Sequence, residues 1–296
     1  MRITENLMVN RMLQDLGQAQ DRLLTSQQQL ATGKVLNKPS DDPVNITKDL
    51  SLRTSLAEAG RYLKTVDDAS GWLQNTEGAL AAAESILQRA RELAVQGANG
   101  ALDNDSRQAL TTEANELLKE LVNIGNTNYD GRYIFGGQKT TTEPFVLSQT
   151  STGPVVTYQG DRGALLREIG PHVTMAVNTL GDDAFTPAFT AVINLVKSLA
   201  QNDTASLSGS VLNDIGTAEE NVLVQRAEIG ARTNRLERMR DYLRDTQTDL
   251  GTTLSGIEDA DLSQVIVTLQ AQQNMYTAAL GATARVLVPS LLDFLR

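Results

Sequence analysis

The chain has 296 residues, of which 41% are apolar and 4% aromatic, and it carries a formal charge of −10. With no basic run to meet phosphates, a free-standing nucleic-acid binder is excluded, and with no Cys so are disulfides, thiol nucleophiles and Cys-ligated metals. No run of about 18 apolar residues is present to span a bilayer, and Met1 to Asn6 lacks the apolar region of a cleaved secretory signal.

The first element is a helix. Val9, Leu16, Leu23 and Leu30 recur by sevens, with Met12, Ala19 and Ser26 as a companion row. The stripe is narrow and flanked by glutamines. Gly33 and the stretch Asn37 to Pro43 stop it. Ser40, Asp41 or Asp42 can cap the next helix, and Pro43 suits a first helical position. That long helix runs to about Gln96, with Val66, Leu73, Leu80, Leu87 and Ala94 by sevens and a kink or break expected near Gly60. Gly97 to Gly100 ends it. Asp103, Asp105 or Ser106 starts a third helix with Leu110, Ala114, Leu117, Leu121 and Ile124 on one face, giving an antiparallel hairpin.

From Tyr129 the period changes to two. Asp130-Gly131 beside Tyr133-Ile134-Phe135 predicts a β-hairpin. Strands are expected at 145–147, 155–158, 165–169 and 173–177, in a unit too small for much core of its own. Helical pattern returns with Phe189, Val192, Ile193, Val196 and Leu199. After a Ser/Gly turn at 206–210 comes the longest repeat: Ile215, Val222, Ile229, Leu236, Leu243, Leu250 and Ile257. A terminal helix carries Leu262, Leu269 and Tyr276, with Val265, Ile266, Leu280 and Leu287, and Pro289 ends it.

The order is helices, β insert, helices. This predicts a mainly α chain: an elongated antiparallel helical rod with coiled-coil terminal helices and a small β insert domain. The expected units are 1–40 with 256–296 (terminal helices), 41–139 with 185–255 (rod), and 140–184 (β insert). A continuous helix over 211–255 would be about 65 Å long. The four large apolar residues on the first helix's stripe do not offset the ordering of roughly 30 residues. Both end segments are therefore expected to order only when neighbouring copies supply further surface.

Catalytic chemistry finds little support. His172, the single His, has no partners of a kind that would make it a catalyst or zinc ligand. Gly131 to Thr140 resembles a phosphate loop, but Gly137 stands where that loop needs Lys. Asp103 to Asp105 begins like a calcium loop, but Gln108 and Ala114 occupy its Gly and Glu positions. Glu258, Asp259 and Asp261 lie just before a helix, where acids are expected. The insert offers only Glu143, Asp161, Glu168, Asp182 and Asp183 as carboxylates. No enzyme activity, cofactor or metal is expected.

Several segments resemble the flagellin superfamily. Leu30-Ala31-Thr32-Gly33-Lys34-Val35-Leu36-Asn37-Lys38-Pro39-Ser40-Asp41-Asp42-Pro43 is similar to the segment that joins that family's terminal helix to its rod. Ile86 to Gln96 is similar to its core helix. Asn128 to Gly137 resembles the hairpin of its hook–filament junction branch, and Gly230 to Glu237 and Ala284 to Leu295 are similar to its C-terminal half. The resemblance covers 1–137 and about 205–296, with the five matches in family order.

It implies a secreted structural protein of the bacterial flagellum, exported unfolded through the type III-like channel without a cleaved signal. It implies a ring of subunits seated on hook-associated protein 1 and presenting a surface to flagellin, with a cytosolic export chaperone holding the C-terminal segment before export. Carried over by position, the assembly residues are Val9, Leu16, Leu23, Leu30, Leu262, Leu269, Tyr276, Leu280 and Leu287. Gln88, Arg89, Glu92 and Leu93 fall in the segment that is similar to the one an innate immune receptor reads in flagellins. The alternatives are flagellin itself, as a filament subunit, and a cytosolic coiled-coil adaptor.

Overall fold

The computed structural model describes residues 2–150 and 153–287, with side-chain surroundings over 7–150 and 153–284. It divides into two compact units, Met1–Glu58 with Thr246–Arg296, and Ala59–Asp245. In chain order the elements are α1 (Arg2–Thr32), α2 (Pro43–Gly97), α3 (Asn104–Gly125), β1 (Asn128–Tyr129), β2 (Arg132–Tyr133), β3 (Phe145–Thr150), β4 (Gly153–Tyr158), β5 (Leu166–Gly170) and β6 (Val173–Ala176). The remaining elements are α4 (Gly181–Ala200), α5 (Thr204–Ser206) with a π-helical turn at Leu207–Val211, α6 (Leu212–Glu258) and α7 (Leu262–Leu287). The chain is mainly α with a small antiparallel β insert, as the periodicity predicts.

The rows of sevens are the core of the second unit. Val66, Leu73, Leu80, Leu87 and Ala94 of α2 are fully buried, and so in effect are Ile215, Val222, Ile229, Leu236 and Leu243 of α6. They belong to one hydrophobic cluster. α3 adds Ala114, Leu118 and Leu121, with Leu110, Leu117 and Ile124 packed at its margin. Arg226 joins α6 to α2 through Glu77 and Glu84, and Arg91 pairs with Glu219.

The helix boundaries match their caps. Asp103 starts α3, its carboxylate accepting the Ser106 N–H at 2.9 Å. Two expectations differ from the structure. α2 passes through Gly60 unbroken, because one glycine costs only about 1 kcal/mol and Ala59 and Tyr62 are buried on either side of it. The Ser/Gly stretch 206–210 is helical, not a turn. Asp203 caps it by accepting from both the N–H and the hydroxyl of Ser206, and Leu207 and Val211 are buried.

The strands form three separate two-stranded antiparallel sheets: β1–β2, β3–β4 and β5–β6. At the first turn Asp130 has φ 51° and Gly131 φ 74°, the two left-handed positions of a type I′ hairpin. β3–β4 runs in register from Phe145 opposite Tyr158 to Thr150 opposite Gly153. The insert borrows its core from the helices. Phe145 packs on Phe189 of α4 at 4.9 Å between ring centroids, and Phe135 meets Phe185 at 4.7 Å. Four of the chain's five Phe thus converge on one side of α4.

Candidate assembly interface

The first unit is built on α1 and α7, which run antiparallel. The α1 stripe supplies Val9, Met12, Leu16, Ala19, Leu23 and Ser26, all half-buried or buried. α7 answers with Val265, Leu269, Gln272, Tyr276, Ala279 and Thr283, spaced alternately by four and three. Alternation of that kind keeps one stripe of a helix facing its partner. Inside this seam the Ser26 hydroxyl donates to Oε1 of Gln272 at 2.7 Å. The helices are therefore formed and packed on each other, each supplying the other half of a stripe that is too thin alone.

The turn that lets α1 meet α7 is fixed by charge and backbone. Gly33 stands at φ 71°, a conformation that suits glycine at a helix C-terminus. Its carbonyl accepts from the Ala260 N–H at 2.8 Å, and the Val35 N–H donates to the Glu258 carbonyl at 2.7 Å. The Glu258 side chain is buried, between the Lys34 ammonium and Arg53, whose Nη2 lies 2.5 Å from Oε2. Arg53 Nε also donates to Asp49 one turn earlier on α2. Asp41 turns the spacer before α2 by accepting the N–H groups of Asn37 and Lys38 at 3.0 and 2.8 Å. Asp42 caps α2, and the Asn45 N–H, ahead of the Val44 N–H, holds its carboxyl below the usual range. Asp261 caps α7 by accepting from Ser263 and Gln264.

The residues expected to carry assembly fall into three groups. Val9, Leu16, Leu23, Leu269 and Tyr276 lie half-buried along the α1–α7 seam. Leu30, Leu262 and Leu280 remain 36%, 49% and 42% exposed. The side chain of Leu287, like Pro289 and everything after it, lies outside the described residues. Sequence reasoning missed a second set. Leu13 and Leu24 on α1, and Ile266, Val267 and Met275 on α7, are more than half exposed. Leu262, Ile266, Leu269, Gln273, Tyr276 and Leu280 form a second row on α7 with the same spacing. It shares Leu269 and Tyr276 with the seam, and its other apolar members are open. On α1, Leu13 and Leu24 are eleven residues apart, three full turns, and so share one face. Of the acids before α7, only Asp261 plays the expected helix-starting part, while Glu258 is the buried centre of an ion cluster.

Elsewhere, Gln88 and Glu92 are exposed, and Arg89 bridges Glu92 and Glu113 at 2.6 and 2.7 Å. Leu93 is fully buried in the core and offers no surface in this state. His172 sits at an exposed turn with φ 58°. Among the insert's acids, Asp161 accepts the Gln138 and Gly163 N–H groups, Asp182 and Asp183 hold Arg162, and Glu168 accepts from Tyr62. Among the described residues no group of three or more His, Cys, Asp or Glu side chains could hold a metal ion, and no helix is long and apolar enough to cross a membrane.

Comparison with known proteins gives the geometry a context. Residues 3–140 match the model of the bacterial flagellin N-terminal helical region, and 212–295 match that of the C-terminal helical region. The chain is 25% identical to flagellar hook-associated protein 3 of Escherichia coli K12, over 95% of this chain and 96% of that one. It is also 25% identical to a flagellin of Listeria monocytogenes, over 89% of this chain and 88% of that one. The crystal structure of the flagellar junction protein from Legionella pneumophila superposes with a TM-score of 0.60 at 18% identity, covering 72% of this chain and 100% of that one, and so shares the fold.

Proposed function

The chain belongs to the bacterial flagellin family and is a structural component of the flagellum, and from that premise we propose how it forms the junction between hook and filament. α1 and α7 first pair within the chain. The open apolar rows beside their seam, Leu13 and Leu24 on one helix and Leu262, Ile266 and Leu280 on the other, then pack against the same helices of neighbouring copies. The observation that carries this reading is the concentration of large exposed apolar residues on the terminal pair, while the α2 and α6 rows of the second unit are buried. Water-facing apolar residues gathered on one element mark a surface that a partner covers.

Self-association and assembly with other flagellar components are properties of the family. The finer assignments rest on the resemblance to hook-associated protein 3: a ring of subunits on hook-associated protein 1, a surface offered to flagellin, and a cytosolic export chaperone on the C-terminal segment. The terminal pair forms within the lone chain and gains its outer contacts in the ring. In the segment similar to the receptor-read part of flagellin, Gln88, Arg89 and Glu92 supply the surface, and Leu93 anchors it from beneath.

Deleting the gene and imaging the cells tests the junction role. Hooks without filaments, with flagellin lost to the medium, is the expected outcome, and normal filaments would overturn it. The match to a flagellin keeps one rival in view, which copy number separates. A filament subunit polymerises alone into long tubes, whereas a junction protein stops at a short ring.

A further inference from the structure

We propose that Asn99-Gly100, in the connection between α2 and α3, is a self-modifying site. The Asn99 side chain loses its amide nitrogen to attack by the next residue's backbone nitrogen, and becomes aspartate or isoaspartate with no enzyme involved. The inference stands apart from the junction role and needs no partner chain.

Asn99 is the one asparagine of the chain that glycine follows. Both residues are exposed, past the end of α2 at Gly97 and before α3 begins at Asn104. The backbone around them is otherwise committed. The N–H groups of Ala98 and Asn99 donate to the Ala94 and Gln96 carbonyls, and that of Leu102 to the Asn99 carbonyl. The Ala101 N–H donates to Oδ1 of Asn99 at 3.1 Å. Among the described residues, the Gly100 N–H is the only one from 98 to 102 without an acceptor. An asparagine whose oxygen accepts from the N–H two residues on is folded back over the peptide between them. That sets the amide carbon of Asn99 on the side of the Gly100 nitrogen and polarises its C=O bond. Nothing hinders the approach, because Gly100 has no Cβ and no atom packs where one would stand.

The Gly100 nitrogen, on giving up its proton, bonds to Cγ of Asn99. The Cγ–Nδ2 bond breaks, and ammonia leaves with that proton. Water then opens the cyclic imide, its hydroxyl going to a carbonyl carbon and its hydrogen returning to the Gly100 nitrogen. Opening at Cγ gives aspartate, and opening at the main-chain carbonyl gives isoaspartate, whose backbone runs through the former side chain. Either product puts a carboxylate just beyond the C-terminus of α2, where negative charge is disfavoured. Isoaspartate also lengthens the turn that Arg107 holds. That side chain is 7% exposed and donates to the Gly97 and Leu102 carbonyls at 3.4 Å each. Bonds already that long weaken further when their acceptors move apart, so the modified turn should open.

The full chain, aged at mildly alkaline pH and then mapped by digestion and mass spectrometry, should convert Asn99 ahead of every other asparagine. The two products have equal mass and separate by chromatography. G100A, whose Cβ meets no neighbour, should fold alike and slow Asn99 to the rate of the rest. A synthetic peptide of residues 94–105 reports the sequence without the fold, and the folded chain should keep pace with it. Amide exchange over 97–107 should quicken in the isoaspartate fraction. Asn99 intact in the folded chain while the peptide converts would overturn the proposal, as would conversion that G100A leaves unaltered. Unaltered exchange in the isoaspartate fraction would overturn the opening of the turn.

Discussion

Arg53 Nη2 lies 2.5 Å from Oε2 of Glu258, which comes 205 residues later in the chain. With Lys34 on its other oxygen, Glu258 ties the spacer after α1 and the first part of α2 to the joint between α6 and α7. Removing one member of a fully buried ion pair costs about 3–5 kcal/mol. Here Arg53 and Lys34 are 46% and 41% exposed, so water takes up much of that loss. Glu258→Ala should lower the stability of the terminal unit by about 1–2 kcal/mol, read as an earlier melting transition in calorimetry. An unchanged transition would mean that the backbone bonds at Gly33 and Val35 hold the turn unaided.

Acid should loosen this fold through a definite set of carboxylates. Asp42, Asp103, Asp161 and Asp203 all sit below the usual aspartate value of 3.8. The Asn45 N–H is the chief cause at Asp42, the Ser106 hydroxyl at Asp103, the Gln138 N–H at Asp161 and the Ser206 hydroxyl at Asp203. A depressed native pKa means that the unfolded chain takes up the proton first. The stability they add is therefore complete above pH 3.8 and fades as pH falls below it. At the other limb, burial, ahead of the charge of Asp161, pushes the Tyr158 phenol up from 10.0 to about 12. Its contribution is intact below pH 10 and lost as pH rises from there toward about 12. Melting temperature against pH should fall at both limbs. Asp161→Asn should flatten part of the acid limb and Tyr158→Phe part of the alkaline one.

The Asp161 loop also has a backbone requirement. Gly137 stands at φ 70°, and a Cβ there would lie 2.3 Å from both the carbonyl and a carboxylate oxygen of Asp161. Gly137→Ala combines a left-handed backbone with a clash, and should destabilise the second unit by about 2–3 kcal/mol. Urea unfolding measures it, and a loss below about 0.5 kcal/mol, within the range of ordinary surface substitutions, would show that the loop shifts freely.

Two substitutions one turn apart on α7 should behave differently. Leu269 is half-buried toward α1, whereas Ile266 is 54% exposed. Leu269→Asp places a charge in the seam. It should strip α1 and α7 of amide protection in hydrogen exchange, leave residues 66–94 protected, and abolish assembly. Ile266→Arg should leave protection in the lone chain unchanged and still impair assembly. Equal effects of the two on exchange would contradict the division into an inner seam and an outer row.

Much of this was legible in the sequence, for reasons that particular residues show. Val66 to Ala94 and Ile215 to Leu243 recur by sevens because a long helix must keep one stripe inward, so they could be read without coordinates. Asp130-Gly131 announced its turn because few other dipeptides accept two left-handed residues in succession. Pairing over distance could not be read. Nothing local at Ser26 points to Gln272, and Glu258 looks like any acid before a helix until Lys34 and Arg53 close on it. The two α7 rows share Leu269 and Tyr276, so periodicity alone could not say which faces α1 and which stays open. Nor could it say that the insert's strands form separate hairpins, with β3–β4 leaning on Phe185 and Phe189.

The central claim is that the open row on α7 is covered by neighbouring copies. The most direct measurement is the number of filaments per cell when the only copy of the gene carries Ile266→Arg and Leu280→Arg. We predict bare hooks, with the variant chain still exported and its own α1–α7 pair as protected from exchange as in the parent. Filaments at the normal number would contradict the account.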